Sequence, residues 1–302
     1  MQKPFFTVII ATYNRQKLLS EAIDSVLSQS YKNFELIIVN DCSTDNTFEY
    51  LSTLDNESIK VFSNKKNMHV SYSRNFGIDN AKGEWIVFLD DDDKMMSNKL
   101  KVLYSAIQKY ENITFIHHNV LIDYVGDNKK RISSNCASNN YRDDILTTNI
   151  VGTPNHVCIR KDILISVGGF DLELNSSEDY ELWIRILRHK DFKPCFLNLA
   201  LVTMRIKRGV ASLDKDLEEY KKSYNLIYKK HSQSINGLPK SLQKKREENY
   251  YYRFAIRCVY NNSRRCAVNW FFKAFRHSKK LKYILAMLLS GISPKVLILL
   301  HK

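Results

Sequence analysis

Three features of this sequence predict an α/β fold, a mostly parallel sheet flanked by helices. The first two-thirds alternate short apolar runs with helical patterns, each run ends in a polar segment, and 44% of the 302 residues are hydrophobic, enough for a substantial core. The first run, FFTVII, follows one early lysine and lacks a small-residue cleavage site, so it reads as a first strand and not as an export signal. QKLLSEAIDSVLSQ then supplies a helix. The same alternation continues through FELIIV and NTFEYLSTL, IKVF and VSYSRNFGIDNA, and EWIVFL and NKLKVLYSAIQKY. Runs that are apolar throughout suit strands covered on both faces.

In such sheets ligands bind beyond the carboxyl ends of the strands, and ATYNR, NDCSTDNT and DDDDKM stand at those ends. Neither G-x-G-x-x-G nor a P-loop is present, so a nucleotide, if bound, must be held another way. Four consecutive aspartates, Asp90 to Asp93, repel one another unless a cation or open water neutralises them. Asp90 with Asp92, or Asp91 with Asp93 in the other register, offers paired hard oxygens for Mg²⁺ or Mn²⁺; a solvated turn capping the next helix is the competing reading. Asp41 directly follows a strand and is either a turn residue or an acceptor for a base N–H, and Tyr13 either stacks on a base or packs. A second acidic station, Glu178-Asp179, follows Gly168-Gly169 and starts a helix, where acids also complement the helix dipole.

Residues 206–302 carry 22 Lys/Arg against 6 Asp/Glu, so the net charge of +14 divides into +16 there and −2 in residues 1–205. The predicted organisation is an α/β domain over 1–205 and a basic, aromatic-rich helical region over 206–302. In that region Phe254, Val259, Trp270, Phe271, Phe275, Leu281, Ile284 and Leu285 form an apolar stripe, with Arg257, Arg264, Arg265, Lys273, Lys279 and Lys280 beside it. This pattern suits either an anionic membrane surface or packing within the fold; without a recognition motif it does not suit nucleic acid. The last apolar segment, broken at Ser293-Pro294-Lys295, is too short to span a bilayer and is expected to lie in its interface. Cys42, Cys136, Cys158, Cys195, Cys258 and Cys266 show neither C-x-x-C nor zinc spacing, and a reduced, cytosolic compartment is expected.

Taken in order, VIIATYNR, VNDCSTDNT, SRNFGIDNAKGEWIVFLDDDD and GGFDLELNSSEDYELWIRI resemble the motifs of inverting family 2 glycosyltransferases with the GT-A fold. The resemblance implies a nucleotide-sugar donor, most simply a UDP-sugar, Mn²⁺ or Mg²⁺ as cofactor, and a single displacement. It places Thr12, Tyr13, Arg15, Asp41, Arg74 and Asp91 on the donor side. Asp90 and Asp92 become the metal pair, Asp92 the likelier direct ligand. Asp179 becomes the catalytic base, with Glu178 and Trp183 on the acceptor side. His69 stands where relatives often have Gly, and Ala11 where they have Pro. The Q-x-x-R-W signature and the multiple spans of processive synthases are absent, which favours transfer of one sugar. A lipid-linked or lipopolysaccharide-core acceptor at the inner face of the cytoplasmic membrane is expected, with the protein peripheral there. A nucleotidyltransferase and a non-catalytic binding module are the alternatives.

Overall fold

The computed structural model describes residues 3–126, 129–133, 137–207 and 217–292. Two compact units emerge, Met1–Asn139 with Val151–Gly209, and Asn140–Ile150 with Val210–Lys302. The boundary read from the sequence at 205/206 therefore misses one excursion, because residues 140–150 belong with the C-terminal unit.

The first unit opens with strand β1 (Phe6–Thr12), helix α1 (Gln16–Leu27), β2 (Phe34–Asn40), α2 (Thr47–Ser52), β3 (Ile59–Ser63), α3 (His69–Asn80) and β4 (Trp85–Phe88). Leu19, Ala22, Ile23 and Val26 recur at helical spacing on α1 and are buried together with Val8, Ile10, Leu36 and Ile38 of the sheet. Strands β1, β2 and β4 are almost wholly buried, as their unbroken apolar runs require. Then follow β5 (Lys94–Met95), α4 (Lys99–Lys109), β6 (Phe115–Val125), β7 (Lys129–Ile132), β8 (Val157–Arg160), α6 (Lys161–Ser166), α7 (Glu178–Leu187) and β9 (Pro194–Lys207); α5 (Tyr141–Thr147) lies in the other unit.

The strand order is β3-β2-β1-β4-β8-β6-β9-β5, with β7 paired to β6. Strands β3, β2, β1 and β4 are mutually parallel. Beyond them β8 runs antiparallel to both β4 and β6, while β9 is parallel to β6, so the second half of the sheet is mixed. Strand β1 lies between β2 and β4, and chain order reverses there. The crevice beyond its carboxyl end is where such sheets hold ligands.

The second unit joins α5 to α8 (Leu217–Lys230), α9 (Ser232–Asn236), α10 (Lys240–Tyr260), α11 (Arg264–Ser278) and α12 (Lys282–Ile292). Small and aromatic residues, among them Ala255, Ala267, Phe271, Ala274 and Tyr283, form its core. Helix α5 is tied to α10: Asn249 Nδ2 donates to Thr147 O (3.3 Å), Arg253 Nη2 donates to Asn149 O (3.2 Å), and Ile145 and Leu146 are buried. Part of the stripe read from the sequence is consumed by this packing, since Phe254, Val259 and Phe271 are buried. Leu281, just before α12, and Leu285 and Leu288 on it remain exposed, Leu281 at 76%. Cys258 and Cys266 form a disulfide, which corrects the expectation of a wholly reduced set: the turn after α10 folds α11 back and brings their Cα atoms to 5.6 Å. Cys42, Cys158 and Cys195 are free thiols; Cys136 and the segment after 292 lie outside the described residues.

Candidate active site

Strand β4 delivers the aspartates into a tight turn, where the Asp93 N–H donates to Asp90 O (3.1 Å) with Asp91 and Asp92 at the centre. The four side chains separate into two pairs. Asp90 and Asp92 are 30% and 33% exposed, whereas Asp91 is 8% exposed and Asp93 2%. The two registers open in the sequence are thus distinct in space, one reaching solvent and one turned inward.

Cations hold this cluster from two sides. Arg15, just before α1, donates through Nη1 to Asp92 Oδ2 (2.6 Å) and Asp91 Oδ1 (3.0 Å), and Thr12 Oγ1 donates to Asp91 Oδ2 (2.7 Å). Arg74 on α3 donates to Asp90 Oδ1 (2.8 Å) through Nη2 and to Glu178 Oε1 (2.9 Å) through Nη1. Burial disfavours its charge, but Asp90 and Glu178 hold its pKa above the usual arginine value. Compensation of the inner pair is incomplete. Burial pushes Asp91 up to about 6 against the pull of Arg15 and Thr12, and pushes Asp93 up to about 8, with Asp90 and Asp92 adding to the rise.

The second acidic station is brought to the same place by α3. Asn75 Oδ1 accepts the Phe170 N–H (2.7 Å) while its Nδ2 donates to Phe170 O (2.8 Å), pinning the Gly168-Gly169 turn beside Arg74. Gly169 adopts φ +68°, and a Cβ there would lie 2.5 Å from Asn75 Oδ1, so only glycine fits. Arg74 lies over the Phe170 ring at 5.3 Å. Helix α7 then begins at Glu178, and Asp179 Oδ1 accepts the Tyr180 N–H (2.6 Å).

Asp41 is buried at the end of β2 and accepts from Asn64 Nδ2 (2.7 Å) and the Met68 N–H (2.8 Å). Tyr13 is 44% exposed. His69, at the position where the resemblance leads one to expect Gly, adopts φ +67°, the left-handed conformation for which glycine is the usual choice. The acceptor-side reading of Trp183 is corrected: its ring is fully buried and its indole N–H donates to Gly152 O (2.8 Å), because it lies on the core face of α7 with Leu182, Ile186 and Leu187. Four residues that the sequence did not single out also serve the cluster. Asn155 donates to Asp90 and Asp93, buried Lys99 holds the Asn155 carbonyl, and Arg205, itself paired with Glu21, donates to Asp93 Oδ1 and Asp92 O. A proline turn before β8 and a charged residue within an apolar helix face were the only local signals.

Residues 7–171 match the family model described as glycosyl transferase family 2. The chain belongs to that family. Similar to this family 2 glycosyltransferase is an uncharacterized glycosyltransferase of Haemophilus influenzae, 28% identical over 98% of both chains. Also similar is the Escherichia coli UDP-Glc:alpha-D-GlcNAc-diphosphoundecaprenol beta-1,3-glucosyltransferase WfgD, 28% identical over 73% of this chain and 84% of the relative. Among solved structures, the Pyrobaculum calidifontis mannosyltransferase PcManGT, in complex with GDP-Man and Mn²⁺, superposes with a TM-score of 0.58 at 14% identity over 97% of this chain and 80% of that one. The fold is accordingly GT-A.

The donor set fits a divalent cation completed by substrate. Among the described residues no three His, Cys, Asp or Glu side chains converge as a ready-made cage. What the turn offers is two solvent-reaching carboxylates already drawing in arginine cations, and Mg²⁺-type ions commonly take one or two carboxylates plus phosphate oxygens.

Proposed function

We propose that this glycosyltransferase moves one sugar from a nucleotide sugar, most simply a UDP-hexose or UDP-N-acetylhexosamine, to a lipid-linked glycan and inverts the anomeric carbon. One observation carries the reading: Arg74 bonds both Asp90 and Glu178, so the aspartate turn and the start of α7 share one site. Mn²⁺ or Mg²⁺ held by Asp90 and Asp92 would neutralise the diphosphate leaving group. Asp41, with its carboxylate fixed by Asn64 and Met68, receives the base N–H; Thr12 and exposed Tyr13 border the nucleoside, and Arg15 reaches the diphosphate side. Asp179 takes the acceptor hydroxyl proton as the acceptor oxygen bonds to the anomeric carbon and the bond to the diphosphate breaks, with no glycosyl-enzyme intermediate. Glu178 holds Arg74 between the two stations.

The relatives support this choice of substrates, since WfgD is a glucosyltransferase from UDP-Glc to a diphosphoundecaprenol-linked acceptor. A panel of UDP-, GDP- and dTDP-sugars with Mn²⁺ tests the donor. Asp179→Asn is expected to keep donor binding while transfer falls roughly 10²–10⁴-fold. Near-wild-type transfer by that variant, or a product of retained configuration by NMR, would sink the mechanism.

The protein's place is the inner face of the cytoplasmic membrane, bound peripherally. Among the described residues no helix is long and apolar enough to cross a membrane, while Leu281, Leu285 and Leu288 face outward on a unit rich in arginine and lysine. Leu285→Glu is expected to weaken binding to anionic vesicles in co-sedimentation; equal sedimentation would favour a purely structural role for these leucines.

A further inference from the structure

We infer that Asn155 is a positioning residue that sets which of the four aspartates face the metal and donor. This deepens the function proposed above and rests on it. Asn155 is fully buried in a short 3₁₀ turn, Pro154–His156, immediately before β8. Strand β8 pairs antiparallel with β4 in the register Trp85↔Arg160, Ile86↔Ile159 and Val87↔Cys158; carried on past the strand ends, that register sets Asn155 opposite Asp90. The backbone ladder stops there, and the Asn155 carboxamide continues it. Its Oδ1 accepts the Asp90 N–H (2.7 Å), and its Nδ2 donates to Asp90 Oδ2 (2.9 Å) and Asp93 Oδ2 (2.5 Å).

One carboxamide thus grips the first and last members of the turn. Asp90 has its second oxygen, Oδ1, on Arg74 at the solvent side, while Asp93 has its other oxygen on the Arg205 N–H (2.8 Å) in the interior. A side chain with an acceptor and a two-hydrogen donor on one short plane is required to meet an N–H and two carboxylates together, and only Asn and Gln combine them. The turn carrying Asn155 is itself fixed from below, where the fully buried Lys99 Nζ donates to the Asn155 carbonyl (3.1 Å). Groups that orient metal-binding carboxylates in this way commonly govern metal affinity without touching the metal.

The test is binding of Mn²⁺ with UDP or GDP to the full chain, followed by electron paramagnetic resonance of free Mn²⁺ and by calorimetry, with thermal melting as the check on folding. Asn155→Ala is expected to raise the Mn²⁺ concentration for half-saturation roughly tenfold or more and to leave the metal-independent nucleotide affinity within about twofold. Asn155→Asp keeps the size and the acceptor oxygen but sets a third carboxylate oxygen against Asp90 and Asp93; the same loss is expected, and this variant decides the matter should the alanine variant fold poorly. Wild-type Mn²⁺ half-saturation in a folded variant, or an equal loss of metal-independent nucleotide binding, overturns the positioning role alone. Wild-type protein whose nucleotide binding ignores Mn²⁺ overturns the metal reading and this inference with it.

Discussion

Both ends of the sheet bury carboxylates, and they treat them in opposite ways. At the amino end, Glu35 accepts from Thr7 Oγ1 (2.7 Å), the Lys82 N–H (2.5 Å), the Gly83 N–H (3.3 Å) and Lys60 Nζ (2.5 Å). Burial works to raise its pKa, but the bonds from Lys60, Thr7 and Lys82 prevail and hold it below the usual value. At the carboxyl end, burial prevails at Asp91 and Asp93 despite Arg15, Thr12 and Arg205. A carboxylate saturated by fixed donors locks a turn, here the entry to β4. A cluster left short of positive charge is poised to take more, and perturbed pairs of this kind gather at functional sites.

That contrast breaks most sharply under substitution of the outer pair. Asp92→Ala is expected to abolish Mn²⁺-dependent nucleotide binding with little change in melting temperature, because the Asp92 side chain reaches solvent and its bond to Arg15 is a partly exposed ion pair; unchanged Mn²⁺-dependent affinity would remove it from the metal site. Glu35→Ala should do the reverse. It leaves buried donors unpaired and costs about 2–3 kcal/mol in denaturant unfolding, with nucleotide binding intact wherever the protein is folded.

The smallest effect concerns pH. Asp93 has a folded pKa above its unfolded value, so the fold favours its neutral form: its contribution is complete below the unfolded pKa and is lost as pH rises toward about 8. Asp91 adds to the loss up to about 6. Lys99, lowered to about 7 by burial, acts in the opposite sense, stabilising as pH rises above that value. Buried His117, His118 and His156, each lowered by burial, also stabilise as pH rises through this range, so the test is the difference between two proteins: in chelator the melting temperature of Asp93→Asn should gain on that of the wild type as pH rises from about 4 to 7. An unaltered slope in Asp93→Asn would place the charge strain elsewhere.

The same contrast explains what could be read in advance. Strands β1 to β4 announce themselves by apolar runs, and the polar segments at their ends, with Asp41 and Asp90 to Asp93, stand out because strand ends are where such sheets work; Thr12 and Arg15 are singled out by the family resemblance alone. The resemblance singles out Arg74, and Glu178 stands out as an acid at a helix start, but the bond between them, spanning 104 positions, is not legible in the sequence. Asn155 was invisible for a related reason: its meaning depends on β8 lying beside β4 antiparallel, and no local periodicity states that pairing. Trp183 was misplaced where the clue was present, since Leu182, Ile186 and Leu187 share its buried face. Glu35 drew no notice in FELIIV, a lone acid in an apolar run whose donors come from β1, β3 and the loop before β4.

The assignment of residues 140–150 to the helical unit has a consequence for gene engineering. A chain cut at 205 would still carry α5 but would lack α10, leaving Ile145 and Leu146 bare and the Thr147 and Asn149 carbonyls without Asn249 and Arg253. Sticky, poorly expressing protein is the outcome to anticipate from such a deletion, whatever the helices do. By the same logic, a single crossover cannot graft the C-terminal helices of one relative onto the sheet of another. Two segments must travel together, one of them only eleven residues long and lodged between β7 and β8.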